Sequence, residues 1–248
     1  PDAVIQSIDM PTIYEIPLLL RDQKMDEAVL RKVGIEPGPR PEMKAWCAFV
    51  EKLKSAHEEV SIALVGKYVE LQDAYKSIDE SLLQSCTYND KKLHLTSIQS
   101  EHITEENVAE LLSGFDGVLI APGFGQRGVE GKLVALKYTR EKGIPTLGIC
   151  LGMQCMAIEF ARNVLGLTDA NTAEIAPASK NRVIDIMEQQ KTVTDLGGSM
   201  RLGAYTCRLK PGSKISEAYG KTMISERHRH RYEFNGEYRE AFENNGFH

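Results

Sequence analysis

Two rhythms of apolar and polar residues alternate along this chain from Glu59 onward. Short apolar runs, at Val60–Val65 (VSIALV), Leu93–Ile98, Gly117–Ala121 (GVLIA) and Ile144–Ile149 (IPTLGI), read as strands, and the last two read as buried. Between them the apolar residues recur every three or four positions, which predicts helices over Asp73–Gln84, Glu106–Leu112 and Gly131–Lys142. After Ile149 the pattern turns helical at once, with Met153, Met156, Ala157, Phe160 and Ala161 on one face. Glu233–Asn245 reads as a helix with a polar end. Strands alternating with helices predict an α/β architecture, a doubly wound and mostly parallel sheet. Such sheets bind ligands at the carboxyl ends of their strands. The loop after GVLIA and the turn after IPTLGI therefore face one crevice.

The first stretch has another texture. It is rich in proline, and Glu36–Pro41 (EPGPRP) reads as a linker break. Trp46, Phe49, Val50 and Leu53 then form one face of an amphipathic helix, with His57 in the same helix. The division is residues 1–58 as an appendage and connector, and 59–248 as an α/β domain. No internal repeat or low-complexity stretch interrupts it.

Charge and cysteine usage narrow the class. A net charge of −5 argues against a nucleic-acid-binding surface. No apolar stretch approaches a membrane span, and the N-terminus shows no signal-peptide pattern. The reading is cytoplasmic, with neither nucleic acid nor membrane as a partner. The five cysteines, Cys47, Cys86, Cys150, Cys155 and Cys207, are odd in number and form no C-x-x-C pair. They read as reduced thiols, with no disulfide framework and no metal site. Gly66-Lys67 follows a strand but lacks the G-x-x-x-x-G-K-[ST] of a phosphate loop.

The chemistry concentrates in Gly148-Ile149-Cys150-Leu151-Gly152. A cysteine in a G-x-C-x-G turn between strand and helix is a nucleophile elbow, which exposes the sulfur. Its glycines let the two elements pass closely. The helix N-terminus favours the thiolate, the reactive form. A lone cysteine after a core strand is more often buried and inert, as Cys155 reads; the full string outweighs that. Attack on an amide or ester needs an oxyanion hole. One donor is the N–H of the residue after the nucleophile, Leu151; the second is a glycine-loop N–H, for which Gly123 in Ala121–Gly131 (APGFGQRGVEG) is the candidate, because lack of a Cβ permits close approach. A plain turn there is an equal alternative. A base is also needed. The six histidines are His57, His94, His102, His228, His230 and His248. Two of them sit in Arg227–Tyr232 (RHRHRY), either a solvated charged face or an extended segment whose arginines can grip a carboxylate with two prongs.

Together these strings resemble the class I glutamine amidotransferases, which implies a flavodoxin-like fold. Val65–Ser77 (VGKYVELQDAYKS), Asp195–Gly203 (DLGGSMRLG) and Glu226–Glu233 (ERHRHRYE) are similar to the glutaminase domains of the CTP synthase family. The first twenty residues resemble the end of that family's synthetase domain and the start of its connector. The resemblance implies hydrolysis of L-glutamine to glutamate and ammonia through a cysteine thioester. The ammonia then serves ATP-dependent amination of UTP to CTP in a synthetase domain of the same polypeptide. It implies Cys150 as nucleophile and Gly123 and Leu151 as oxyanion donors. It implies Gln154 in the glutamine pocket, Glu174 on the substrate's α-ammonium and Arg231 on its α-carboxylate. No cofactor is implied for this domain. The full enzyme would use ATP, magnesium and UTP, with GTP as activator, and would assemble as a homo-oligomer.

Two departures stand out. Where the family shows two glycines before the phenylalanine, this chain has Pro122-Gly123-Phe124. The family's base and its orienting acid lie in an F-H-P-E string, whereas this chain ends Gly246-Phe247-His248. His248 stands too close to Arg231 to match that histidine, so the expectation is a weakly active or inactive chain. Two other functions remain in view: a catalytically dead binding module, and a cysteine hydrolase of γ-glutamyl substrates.

Overall fold

Every apolar run from Val60 to Ile149 contains a strand in the computed structural model, which describes residues 3–71, 73–191 and 203–248. The DLGGSMRLG string lies, save for Gly203, outside the described residues. The chain divides into two compact units, residues 1–61 with 75–95, and residues 62–74 with 96–248.

Three helices open the first unit: α1 (Ile16–Asp22), α2 (Met25–Lys32) and α3 (Lys44–Ser55). The apolar face expected on α3 forms, with Val50 buried. Trp46 and Phe49 pack on Tyr14, with ring centroids 5.7 and 5.0 Å away. Tyr14 is a polar hub as well as an apolar one. Its hydroxyl donates to Glu80 and accepts from Gln84 of α4 (Lys76–Tyr88), each at 2.8 Å, and its carbonyl accepts from Trp46 Nε1 at 2.8 Å. A buried tyrosine satisfied on every side fixes the packing of the helices around it. His57 is not in α3. The helix stops at Ser55 and Ala56 turns extended, which leaves His57 exposed beyond it. Likewise α4 starts at Lys76, three residues later than the apolar spacing suggests, with Tyr75 as its N-cap.

The central sheet has the order β2-β1-β3-β4, from β1 (Glu59–Gly66), β2 (Lys92–Gln99), β3 (Gly117–Ile120) and β4 (Thr146–Gly148). Both β1/β3 and β3/β4 are parallel, with Val65 opposite Ile120 and Ile120 opposite Gly148. Parallel strands need crossover helices. Here these include α5 (Val108–Leu112) and α6 (Val129–Lys142), and α7 (Leu151–Asn163) follows β4 and leads out of the sheet. Ala63, Val65, Val118 and Ile120 of the sheet join Leu133 and Leu136 of α6 and Cys155 and Ile158 of α7 in one core. β3 is buried along its whole length, as GVLIA suggests. The expectation of burial fails for β4. It has β3 on one side only and stands at the sheet edge, and its Leu147 is 53% exposed. An apolar run cannot by itself tell a central strand from an edge.

Beyond α7 the chain builds smaller sheets. β5 (Asn171–Thr172), β6 (Arg182–Ile186) and β9 (Tyr232–Phe234) form one, and β7 (Ala204–Arg208) and β8 (Met223–Arg227) form a hairpin, with α8 (Lys214–Tyr219) between them in sequence. Two expectations are corrected here. Glu233–Asn245 is not one helix: Tyr232–Phe234 pairs antiparallel with β6, Asn235 caps a short turn by accepting from Glu237 N at 3.0 Å, and α9 begins only at Arg239 (Arg239–Asn244). Nor is RHRHRY one extended strand. Arg227 closes β8 in the hairpin and Tyr232 opens β9 in another sheet, so the segment bridges the two. Alternation of charge set the first reading; alternation of Tyr232 and Phe234 with polar neighbours is the signal that β9 obeys.

Candidate active site

β3 and β4 run parallel in register, so the loops that follow Ile120 and Gly148 leave the same end of the sheet. The second loop is the elbow. Cys150 has φ +56° and ψ −110°, a backbone conformation that side-chain-bearing residues rarely adopt. Three bonds hold it there: Ile149 N donates to Ile120 O at 3.1 Å, Gly152 N to Ile149 O at 2.9 Å and Gln154 N to Cys150 O at 3.1 Å. The flanking glycines are obligatory. A Cβ on Gly148 would stand 2.6 Å from the Gly152 carbonyl carbon, and one on Gly152 would stand 2.2 Å from Ile120 O. Helix and strand touch through bare backbone.

The backbone N–H groups of Leu151 and Gly123 come from two different loops, and both act to hold the Cys150 thiol down. Gly123 is there for another reason than the absence of a Cβ. A methyl at that position would lie 3.4 Å from Lys67 Cε and 3.6 Å from Leu151 Cδ2, ordinary contacts, and its φ is not left-handed.

The sulfur opens into a crevice of ≈ 60 Å³ lined by Gly123, Phe124, Gln154, Glu174, Arg231 and Tyr232, with Arg229 and His230 beside them. Each wall has a local cause. Glu174 follows β5 in a tight turn: Ala173 N donates to Ile184 O at 2.8 Å, and Glu174 N donates to Thr172 Oγ1 at 3.2 Å. Arg231 immediately precedes β9, and its carbonyl accepts from Met187 N at 2.9 Å. Gln154, one turn into α7, is buried. Five of the residues singled out from sequence line this crevice, Cys150, Gly123, Gln154, Glu174 and Arg231, and Leu151 follows Cys150 as the first residue of α7. Of the histidines, His230 lines the crevice. His248 is exposed beside Phe247, whose ring packs on Phe160 and Phe242 at 5.1 and 5.3 Å.

The electrostatics depart from expectation. Burial pushes the Cys150 thiol above its ordinary range; the N–H groups of Leu151 and Gly123 and the Lys132 ammonium oppose the rise, and the Glu174 carboxylate adds to it. The helix start does not by itself make a thiolate here, because desolvation outweighs it. Cys155 is wholly buried, and its thiol is pushed up to about 12, chiefly by burial. All five cysteines are free thiols. The Tyr232 phenol is held up by burial first and then by Glu174, with Arg231 opposing.

Two lysines were not read from sequence as part of the site: Lys132, and Lys67, which drew notice only for lacking a phosphate-loop pattern. Lys132 of α6 is 0% exposed and donates from Nζ to Ala121 O at 2.7 Å; Lys67, just past β1, is 5% exposed and donates to Phe124 O. Both had a signal. Lys132 falls in the i+3 place of the stripe Val129, Lys132, Leu133, Leu136, which faces the core. Lys67 follows the carboxyl end of a strand, where sites gather. Among the described residues, no group of three or more His, Cys, Asp or Glu is placed to hold a metal ion, and no helix is long and apolar enough to cross a membrane.

Comparison with known proteins agrees with this geometry. The family model for class I glutamine amidotransferases matches residues 70–248. A CTP synthase of Porphyromonas gingivalis is 67% identical over 246 residues, which cover 99% of this chain and 46% of that protein. A CTP synthase of Bacteroides fragilis is 60% identical over 245 residues, with the same coverage of 99% and 46%. The chain therefore spans about half the length of the curated relatives it matches. Among solved structures, the glutaminase domain of Trypanosoma brucei CTPS with bound acivicin superposes with a TM-score of 0.68 at 36% identity, covering 75% of this chain and 72% of that one.

Proposed function

The chain belongs to the class I glutamine amidotransferases, and on that premise we propose that it is the glutaminase part of a CTP synthase. The observation that carries the proposal is one sulfur, on a strained elbow beside Gly123, in a crevice that also holds a carboxylate and a guanidinium. L-Glutamine has a matching outline. Its α-ammonium suits Glu174, its α-carboxylate suits a charge-assisted pair with Arg231, and its side-chain amide then reaches Cys150. Gln154 completes the pocket beside the sulfur.

The reaction follows from those contacts. The thiolate of Cys150 adds to the amide carbon, and the carbonyl oxygen, now negative, takes the N–H groups of Leu151 and Gly123. The C–N bond breaks as the nitrogen gains a proton, and ammonia leaves. A water molecule opens the thioester, which releases glutamate and restores the thiol. We read residues 1–58 as the end of a synthetase domain with its connector and 59–248 as amidotransferase. The synthetase domain of the same polypeptide would consume the ammonia with ATP, magnesium and UTP under GTP activation, as a cytoplasmic homo-oligomer. Those ligands belong to the longer protein, and no step within this chain is routed through them.

The F-H-P-E string that carries the family's base is not among these 248 residues. Slow turnover is the expected outcome, and the test is direct. The purified chain is incubated with L-glutamine, and glutamate and ammonia are followed beside Cys150→Ala and beside a chain extended through an F-H-P-E segment. Removing a triad member costs roughly 10⁴- to 10⁶-fold in rate, so the extended chain should be faster by that order. Equal rates would mean that a residue of this chain, with His230 the first to mutate, is the base. Faster cleavage of γ-glutamyl peptides than of glutamine would favour the broader hydrolase. Absence of turnover in the extended chain would leave a binding module.

A further inference from the structure

Lys132 is hard to account for as packing. Its side chain is fully buried in the core between α6 and the sheet. The ionisable groups that favour its ammonium are the thiols of Cys155 and Cys150, both raised and so uncharged at neutral pH, and no carboxylate is among them. Burying an ammonium without a carboxylate is costly, and a methionine of the same length would fill the space at no such cost. What an apolar side chain cannot do is donate to Ala121 O, which Lys132 does at 2.7 Å. Burial pulls the ammonium below its ordinary range, with Lys67 adding to the effect and the two sulfurs opposing.

The carbonyl it holds opens the segment Ala121-Pro122-Gly123-Phe124. The carbonyl that closes this segment, Phe124 O, accepts from Lys67, and Lys67 is itself anchored, since its own carbonyl accepts from Gln99 Nε2 at 3.3 Å and Arg127 Nη2 at 3.4 Å. Ala121 N is spent on Val65 O at 2.9 Å, and Pro122 has no N–H. Between two fixed carbonyls, the next donor in the chain is Gly123 N–H, and Gly123 lines the same crevice as Cys150.

We infer that Lys132 and Lys67 are positioning residues, a two-ended clamp on Ala121–Phe124 that aims Gly123 N–H at the sulfur and at the oxyanion which replaces it. The inference rests on the glutaminase reading of Cys150. It explains how a short, two-residue loop interior keeps its aim although Gly123 itself is not sterically locked.

The test uses Lys132→Met and Lys67→Met, each made in the full chain, with two readouts. One is amide hydrogen exchange of Gly123 against the β3 amides Val118, Leu119 and Ile120. The other is affinity for the γ-aldehyde of glutamine. Its carbon takes the Cys150 sulfur while its oxygen takes the thiol proton, so that oxygen lies where the oxyanion forms. Either variant should speed Gly123 exchange roughly tenfold or more, leave β3 exchange unchanged, and weaken aldehyde binding roughly 2- to 10-fold, the range for one misdirected hydrogen bond to a neutral oxygen. Unchanged Gly123 exchange with unchanged aldehyde affinity overturns the clamp. So does faster exchange of Gly123 and β3 together, which marks an ordinary structural lysine. If the parent chain fails to bind the aldehyde, the glutaminase reading fails, while the exchange comparison still judges the clamp. Should one variant not fold, the other decides.

Discussion

Gly152→Ala tests the elbow at its tightest point. The added Cβ would stand 2.2 Å from Ile120 O, 3.0 Å from its carbonyl carbon and 3.2 Å from Ile120 Cβ. Ordinary contact begins near 3.4 Å, so the start of α7 must move from β3 by about 1.2 Å. That carbonyl oxygen also accepts from Ile149 N at 3.1 Å, and the same movement breaks this bond. Overpacking costs about 1–3 kcal/mol and a lost hydrogen bond about 0.5–1.5, so the variant should lose roughly 2–4 kcal/mol. For a unit of this size that lowers the melting temperature by roughly 5–15 °C. The matched control is Gly123→Ala, whose Cβ meets Lys67 Cε at 3.4 Å and Leu151 Cδ2 at 3.6 Å. It should change stability by no more than about 0.5 kcal/mol. Differential scanning calorimetry of both variants beside the parent measures the difference. Below its melting transition, Gly152→Ala should also label more slowly at Cys150 with a glutamine-mimicking electrophile. A Gly152→Ala transition within about 2 °C of the parent, or a Gly123→Ala loss of equal size, would refute the steric account.

A glutamine-mimicking electrophile should modify Cys150 before the other four thiols, and peptide mapping that found Cys155 first would contradict both its burial and its raised thiol. Because the Cys150 thiol is raised and the thiolate is the nucleophile, its alkylation rate should still be climbing with pH above the ordinary thiol range; a plateau by neutral pH would show a depressed thiol instead. In a complete enzyme Arg231→Ala should weaken glutamine use roughly 30- to 150-fold, from about 2–3 kcal/mol of lost charge-assisted bonding, while synthesis from free ammonia persists; equal loss of both would remove Arg231 from the glutamine site. Glu174→Gln should raise the KM for glutamine and lower the Cys150 thiol slightly, because the carboxylate that adds to its rise is gone; a pH profile of alkylation checks the second effect.

The sheet was legible because its strands are short and apolar and its helices amphipathic, and the nucleophile was legible because Gly148 and Gly152 bracket it in sequence as they do in space. Gln154, Glu174 and Arg231 entered through resemblance; no periodicity would have brought β5 and β9 to the same crevice. What stayed hidden depends on contacts that a linear pattern does not encode. Leu147 is exposed because of strand order, and strand order is not written in the run IPTLGI. The Cys150 thiol is raised because burial outweighs two N–H bonds, a balance of magnitudes rather than of residue types. Lys132 shows the opposite failure: the apolar stripe of α6 does mark its place, but a lysine in such a stripe is easily passed over as a solvated interruption.

Among the described residues, three that are not glycine have positive φ, and Cys150, just past β4, is one of them, with ψ −110°. A residue held in so sparsely populated a region carries about 1–3 kcal/mol of strain, which glycine would largely relieve. Mutation therefore presses on this codon in one direction. A lineage with no use for the sulfur would gain stability by abandoning it, and a stretch of neutral drift would leave glycine between Ile149 and Leu151. At such a position the backbone favours glycine, and the thiol is what glycine cannot supply.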